Sequence, residues 1–249
     1  GAPAIHKLFE KLHIDQKLSG SSEQFGVASA ILLGDLALVW ASKALHESGM
    51  DSQSLTRAFP LYDEMRVELM AGQFLDVYEQ ALASESVERS LKVARYKSGK
   101  YSIERPLHFG ASLASGANLD TYTGYGIPLG EAFQLRDDLL GVFGDPEEPG
   151  KPAGDDLREG KRTVLIAATL ERSTSDQRSR INSLLGKPDL SFAEVEELRE
   201  IITTSGASSF VEDMINSLTK DSLAALETET ITSDAKAFLT HMAAVATKR

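Results

Sequence analysis

The stretch Leu129-Gly130-Glu131-Ala132-Phe133-Gln134-Leu135-Arg136-Asp137-Asp138-Leu139-Leu140-Gly141-Val142-Phe143 decides how the rest of the chain is read. Leu129, Ala132, Phe133, Leu135, Leu139, Leu140, Val142 and Phe143 cover most of a helix circumference, which predicts burial on nearly all sides. Glu131, Gln134, Asp137, Asp138 and Gly141 nevertheless fall on one stripe at three- and four-residue steps. Neighbouring carboxylates on a buried helix repel each other and lose hydration, so they must neutralise or find a cation. Aspartate oxygens with room for water suit Mg²⁺. The plainer alternative is a solvated outer stripe.

A second helix repeats the pattern. Around Met65–Tyr78, Leu69, Gln73 and Asp76 share a face, with Met70, Phe74, Leu75, Val77 and Tyr78 around it. Two such helices favour a polar cavity inside a bundle, where metal sites are commonly built. A core glutamine and a capping or salt-bridged aspartate are the alternative. Beyond Phe143, proline, glycine and acidic residues crowd the segment from Gly144 to Gly160, which reads as a functional or irregular loop. Lys151 follows Gly150. Lys161 follows Gly160, ahead of Arg162-Thr163 and the apolar run Val164 to Leu170. Glycine-flanked lysines can swing onto a phosphate, although lysines are also ordinary on surface loops. Lys97-Ser98-Gly99, read as the end of another helix, adds a third candidate.

The bulk properties fit this picture. The chain has 249 residues, 42% of them hydrophobic and 25% charged, with a formal net charge of −11. That charge, with no Lys/Arg cluster, argues against a nucleic-acid partner. The absence of cysteine leaves no disulfide framework and no thiolate chemistry, and suits a reducing cytoplasm. No uninterrupted apolar run approaches ~18 residues, so no transmembrane segment is expected. Gly1-Ala2-Pro3-Ala4-Ile5-His6 carries no signal-peptide pattern. Helical spacing predicts helices at 22–47, 52–82, 84–97, 106–118, 120–143, 161–172, 176–185, 191–204, 206–227 and 232–247. Pro60 should kink or restart its helix. Alternating β-branched runs are absent, and the fold class is all-α. Ala28, Ser29, Ala30, Gly34, Ala37, Ala41 and Ala44 make helix 22–47 suited to close packing, either central or at a subunit contact.

Taken in order, several segments resemble the trans-type polyprenyl diphosphate synthases. They are Gly1-Ala2-Pro3-Ala4-Ile5-His6, Phe25-Gly26 to Gly34-Asp35, Gly72-Gln73-Phe74-Leu75-Asp76 and Lys97-Ser98-Gly99-Lys100-Tyr101. Gly130 to Asp138, Gly150-Lys151, Asp156 and Gly160-Lys161-Arg162-Thr163 follow. The resemblance implies an isoprenoid-synthase-type bundle of about ten helices around a central cavity. It implies a homodimeric transferase that condenses isopentenyl diphosphate with an allylic prenyl diphosphate and releases pyrophosphate with Mg²⁺ assistance. Asp137 would then bind the metal and Asp138 support it. Lys97, Ser98, Lys151 and Lys161 would hold the allylic diphosphate. Gln134 would lie beside the reacting carbons, Gln73 and Asp76 would line the same cavity, and Asp156 would orient the lysine-bearing loop or the metal's water shell.

The chain departs from the family pattern in two places. Gly141 stands where the second Asp-Asp-x-x-Asp motif has its last aspartate. The first such motif, an Arg-Arg pair and a Gly-Gly-Lys segment would all precede Gly1. The expectation is an enzyme, a single all-α domain over 1–249 that lacks those N-terminal helices, with the activity of this stretch alone left open by the absent first motif. Asp155-Asp156-Leu157-Arg158-Glu159 imitates the missing motif but sits in the Gly/Pro-rich loop, where no helical face is expected. Asp35 is expected to be buried in helix packing or hydrogen-bonded, and His6 to be structural. Two other functions stay open, a catalytically weak subunit of a heteromeric synthase and a terpene cyclase on a related fold.

Overall fold

The computed structural model describes residues 2–114, 119–144, 154–228 and 230–248, and every regular element among them is helical. The elements are α1 (Ile5–Asp15), α2 (Ser22–His46), α3 (Ser52–Ala81), α4 (Val87–Ala94), a π-helix (Arg95–Glu104), α5 (Arg105–Ala114) and α6 (Leu119–Phe143). After these come α7 (Asp155–Glu159), α8 (Val164–Arg172), α9 (Ser175–Leu184), α10 (Phe192–Thr204), α11 (Ala207–Ala224) and α12 (Ser233–Thr247). The chain divides into two compact units, Gly1–Leu55 and Thr56–Arg249, with the division inside α3.

The first unit is built on α1 packed against α2. α1 lies outside the predicted helices, although Ile5, Leu8, Phe9 and Leu12 recur at helical spacing. Ser21 caps α2 by accepting the Gln24 N–H at 3.2 Å. Within α2 only Gly26 is buried, and Asp35 is exposed rather than buried, because α1 covers a single face. By length and composition α2 could cross a bilayer, with a mean hydropathy of 1.7 over 18 residues. The expectation of no such segment stands, since one helix that passes by length and composition is weak evidence, and Glu23, Asp35 and Lys43 interrupt its apolar run.

In the second unit, side-chain caps set most helix starts. Ser86, Thr163, Thr174, Ser191 and Thr232 each accept a backbone N–H of the helix they open. The Thr163 cap explains why α8 begins at Val164 and not at residue 161. From Val164 to Leu170 every residue of α8 is buried, so this short helix runs through the core. Leu135, Leu165, Leu170, Ile181, Leu198 and Ile215 pack there. A second cluster joins Tyr125 and Leu129 to Leu226, Ile231 and Leu239, and the Tyr125 hydroxyl donates to the Leu239 carbonyl at 2.8 Å. α6 contributes to both clusters, as its nearly all-round apolar pattern requires. α3 runs through Pro60 without restarting.

The predicted helices 84–97 and 106–118 join into one continuous helical run through the π-helix. At its end the Arg105 N–H reaches the Lys100 carbonyl, five residues back. Pro106 has no N–H with which to continue the preceding ladder. π segments concentrate at functional sites, and this one carries Lys97 and Ser98.

Behind the π-helix lies a largely buried charge network. Arg105 donates to Glu68 at 2.7 Å and to Glu64 at 2.9 Å, and Lys100 also pairs with Glu68. Thr123 donates to Glu104 at 3.0 Å, and His108 spans from Arg105 to the Leu119 carbonyl. Burial works to raise the Glu68 pKa, but the Arg105 and Lys100 hydrogen bonds outweigh it and hold it below the ordinary value of 4.5. A carboxylate depressed on folding stabilises the protein above that value and loses its contribution as pH falls through the lower, folded-state pKa. Glu68→Gln should therefore flatten the fall of stability below pH 4.5, and urea midpoints measured from neutral to acid pH check it. Glu68→Ala should cost ~1.5–3 kcal/mol at neutral pH, the scale of hydrogen bonds to charged groups, because Arg105 keeps Glu64 and Lys100 keeps Glu104 as nearby acids.

Candidate active site

α3, the π-helix, α6 and the segment ending α7 bring six predicted residues around one cavity of about 230 Å³: Asp76, Lys97, Gln134, Asp137, Asp138 and Lys161. That volume falls below the roughly 300–1,000 Å³ that encloses whole ligands, and suits a phosphorylated head group.

The polar stripe on α6 splits by function. Glu131 turns away from the cavity and pairs with Arg95, and burial pushes its carboxyl above the ordinary glutamate range against that pairing. One turn on, the Gln134 amide accepts from Ser98 Oγ and donates through Nε2 to Asp138 Oδ1 at 2.8 Å. A carboxylate only accepts, which fixes the amide's orientation. Asp138 is 5% exposed. Burial first, then the neighbouring Asp156 and Asp137 carboxylates, push its pKa up to about 7 against the Gln134 hydrogen bond and the Lys161 charge. A carboxylate in that setting gains from a cation in the adjoining space.

The lysines enter the cavity already partnered. Lys97 Nζ donates to Asp76 Oδ2 at 2.6 Å. Lys161 Nζ donates to Asp156 and lies 3.2 Å from Glu159 Oε2. Burial works to lower the Lys161 pKa, and these two carboxylates overcome it and hold the amine above the ordinary lysine value. Lys161 follows Gly160, whose φ of +71° ends α7 in the left-handed region, and its N–H returns to the Asp156 carbonyl at 3.1 Å. Residues 155–159 thus form a one-turn helix where the sequence suggests an irregular loop. Glycine stands at both ends, Gly154 and Gly160, with no side-chain cap at its start, and a single turn is too short to show a helical period.

Not every predicted residue joins the cavity. Gln73 is exposed on α3 and is not among the lining residues, and Met70, Phe74, Val77 and Tyr78 beside it are exposed as well. Lys151, with Gly150, lies outside the described residues. Ser90, Arg162 and Thr163 also line the cavity, and Ser90 Oγ donates to the Arg162 carbonyl at 2.9 Å. Ser90, Ala94 and Lys97 recur at helical spacing, a signal that could have found Ser90. Among the described residues no group of three or more His, Cys, Asp or Glu side chains converges as a ready metal cage.

Fold and cavity together define the isoprenoid-synthase class of helical bundle. The sequence pattern of the family described as Polyprenyl synthetase matches residues 17–202, and the chain belongs to that family. It is 31% identical over 182 residues to the geranylgeranyl diphosphate synthase of Saccharolobus solfataricus, covering 72% of this chain and 55% of that protein. It is 34% identical over 193 residues to the geranylfarnesyl diphosphate synthase of Aeropyrum pernix, covering 76% of this chain and 59% of that one. The chain thus spans little more than half the length of these relatives. A solved geranylgeranyl pyrophosphate synthase from Corynebacterium glutamicum, complexed with isoprenyl diphosphate and magnesium, superposes with a TM-score of 0.95 at 43% identity. That match covers 100% of this chain and 71% of the other.

The α6–π-helix seam that joins Ser98 to Gln134 depends on glycine. A Cβ on Gly130 would lie 2.9 Å from the Gly99 carbonyl carbon and oxygen, which are rigid backbone. Gly130→Ala is expected to push the two helices apart at a cost of at least ~1–3 kcal/mol. An unshifted urea midpoint would refute this account of the seam.

Proposed function

We propose that the intact protein is a trans-prenyltransferase that joins isopentenyl diphosphate head-to-tail to an allylic prenyl diphosphate and releases pyrophosphate. The observation that carries this reading is the convergence of Asp137 and Asp138 with the amines of Lys97 and Lys161 on one head-group-sized cavity, in a chain of this family. Among the alternatives, the relatives are synthases, which favours neither a cyclase nor a non-catalytic subunit.

The residues fit Mg²⁺. The buried Asp138 carboxylate has too few donors for its charge, and Asp137 opens beside it on the same cavity. Mg²⁺ commonly uses one or two carboxylates and completes its shell with water and substrate phosphates, so a protein cage of three acids is not required. Asp137 would hold the ion with Asp138 in support, and the bound ion supplies Lewis-acid stabilisation to the diphosphate oxygens.

In this mechanism Lys97 and Lys161 turn from Asp76 and Asp156 to the allylic diphosphate. The C–O bond breaks with both electrons leaving on the diphosphate, and the two amines stabilise that developing charge. The double bond of isopentenyl diphosphate supplies the electron pair of the new C–C bond, and a released diphosphate oxygen takes the proton. Ser98 holds the Gln134 amide beside the reacting carbons. Ser90 anchors the Arg162 carbonyl and steadies the segment that leads from Lys161. We also assign a homodimer to the protein, supported by the exposed Leu32, Val39 and Trp40 on α2, an apolar patch of the kind that marks an interface.

Asp137→Asn and Lys161→Ala, each in the intact protein, should lower turnover by about 10²–10³-fold, the scale of removing one stabiliser of developing charge. Circular dichroism should stay unchanged. Incorporation of labelled isopentenyl diphosphate with allylic partners of several lengths, followed by product sizing, is the assay. Product formation at the parent rate in either variant would reject the assignment.

A further inference from the structure

Gly141 sits in the last turn of α6, two residues before its end at Phe143, with a helical backbone that any residue can adopt, since it is not among the glycines of positive φ. Positive φ therefore does not account for glycine at this position, and packing does. The space that a side chain would take is filled by Asp156. A Cβ on Gly141 would lie 2.6 Å from Asp156 Cγ and closer still to Oδ2.

Three further contacts hold α7 in that place. The Gly154 N–H donates to the Gly141 carbonyl at 3.2 Å, fastening the start of α7 to α6. Leu157 is fully buried in the core, and its carbonyl accepts the Gly186 N–H at 2.9 Å. Asp156 itself is 3% exposed, and its second oxygen accepts from Lys161 Nζ. The carboxylate is therefore gripped between a notch in α6 and the lysine that lines the cavity.

We infer that Gly141 is a positioning residue for Lys161: its missing β-carbon is the notch in which Asp156 seats, and that seating aims the lysine amine into the cavity. The significance for substrate binding rests on the function proposed above, whereas the notch does not. The inference carries a counterintuitive corollary. Restoring an aspartate at 141, as the related motif has it, should damage the site, because two side chains then compete for one space.

The test follows the amine directly. Acylation of lysines by an amine-reactive reagent, resolved by peptide mass spectrometry, should be slow at Lys161 in the intact parent protein. Gly141→Ala and Gly141→Asp should each speed it about tenfold or more, with the rate at Lys220 unchanged. Asp156→Ala, which inserts nothing into α6, should do the same and covers the case of a poorly folding Gly141 variant. The reciprocal pair Gly141→Asp with Asp156→Gly should slow Lys161 labelling again relative to Gly141→Asp alone. Parent-like labelling of Lys161 in Gly141→Ala, or a reciprocal pair that behaves as the sum of its single changes, overturns the inference. Calorimetry with inorganic pyrophosphate and Mg²⁺ forms the second arm, with binding expected to weaken about ten- to a hundredfold in Gly141→Ala. Unweakened binding there overturns the positioning role. A parent protein that binds no pyrophosphate defeats the functional proposal instead, while the labelling still decides the notch.

Discussion

A carboxylate removed from water must be answered by donors or by positive charge, and Asp138 imposes that demand on the second unit. Its helix is held from two sides by apolar clusters, so the group cannot rotate out to solvent. One amide N–H from Gln134 is a partial answer, and the neighbouring Asp137 and Asp156 make the deficit worse. Apolar residues of α6 bury the acid, and the buried acid then requires a polar, cation-accepting cavity beside it. The fold and the chemistry therefore share one cause.

The surroundings of the π-helix show the same economy. On one side of it Lys97 lines the cavity and reaches α3, while Ser98, buried and not among the lining residues, reaches Gln134 on α6. Its other side carries Lys100 and leads into Arg105, both tied to Glu68 on α3. One irregular segment is thus anchored at both faces by ion pairs, half-buried at Lys97–Asp76 and largely buried at Arg105–Glu68, and the cavity-facing groups inherit its rigidity. Buried pairs of this kind add little net stability over an apolar core. What they add here is a fixed direction for the side chains that face the cavity.

Much of this was legible in the sequence, for identifiable reasons. The α6 stripe could be read because burial and polarity conflict within a single helical period, and a conflict of that kind marks a site. Lys161 was legible from its glycine neighbour and the apolar run behind it. The π-helix was not, since a period of 3.6 residues cannot register a widened turn, and the chain there divides falsely into two helices. α7 escaped because one turn offers no period at all. Gln73 misled for the opposite reason: its spacing matches Asp76, but spacing does not say which side of α3 faces the cavity. The Asp156 seat on Gly141 is a contact between distant positions, and only coordinates reveal it. Glu131 shared the stripe with Asp138 and yet serves a different partner, a distinction set by where Arg95 stands.

The pairing of Lys97 with Asp76 and of Lys161 with Asp156 has a consequence for how firmly any guest can be kept. An amine with a resident counter-ion gives up one attachment to make another, so its hold on a visiting anion is only the surplus of the second over the first. When the visitor loosens, the home acids are within reach to reclaim both amines. Such a cavity is tempered toward letting go, which suits the proposed reaction, in which a highly charged fragment must be shed on every cycle.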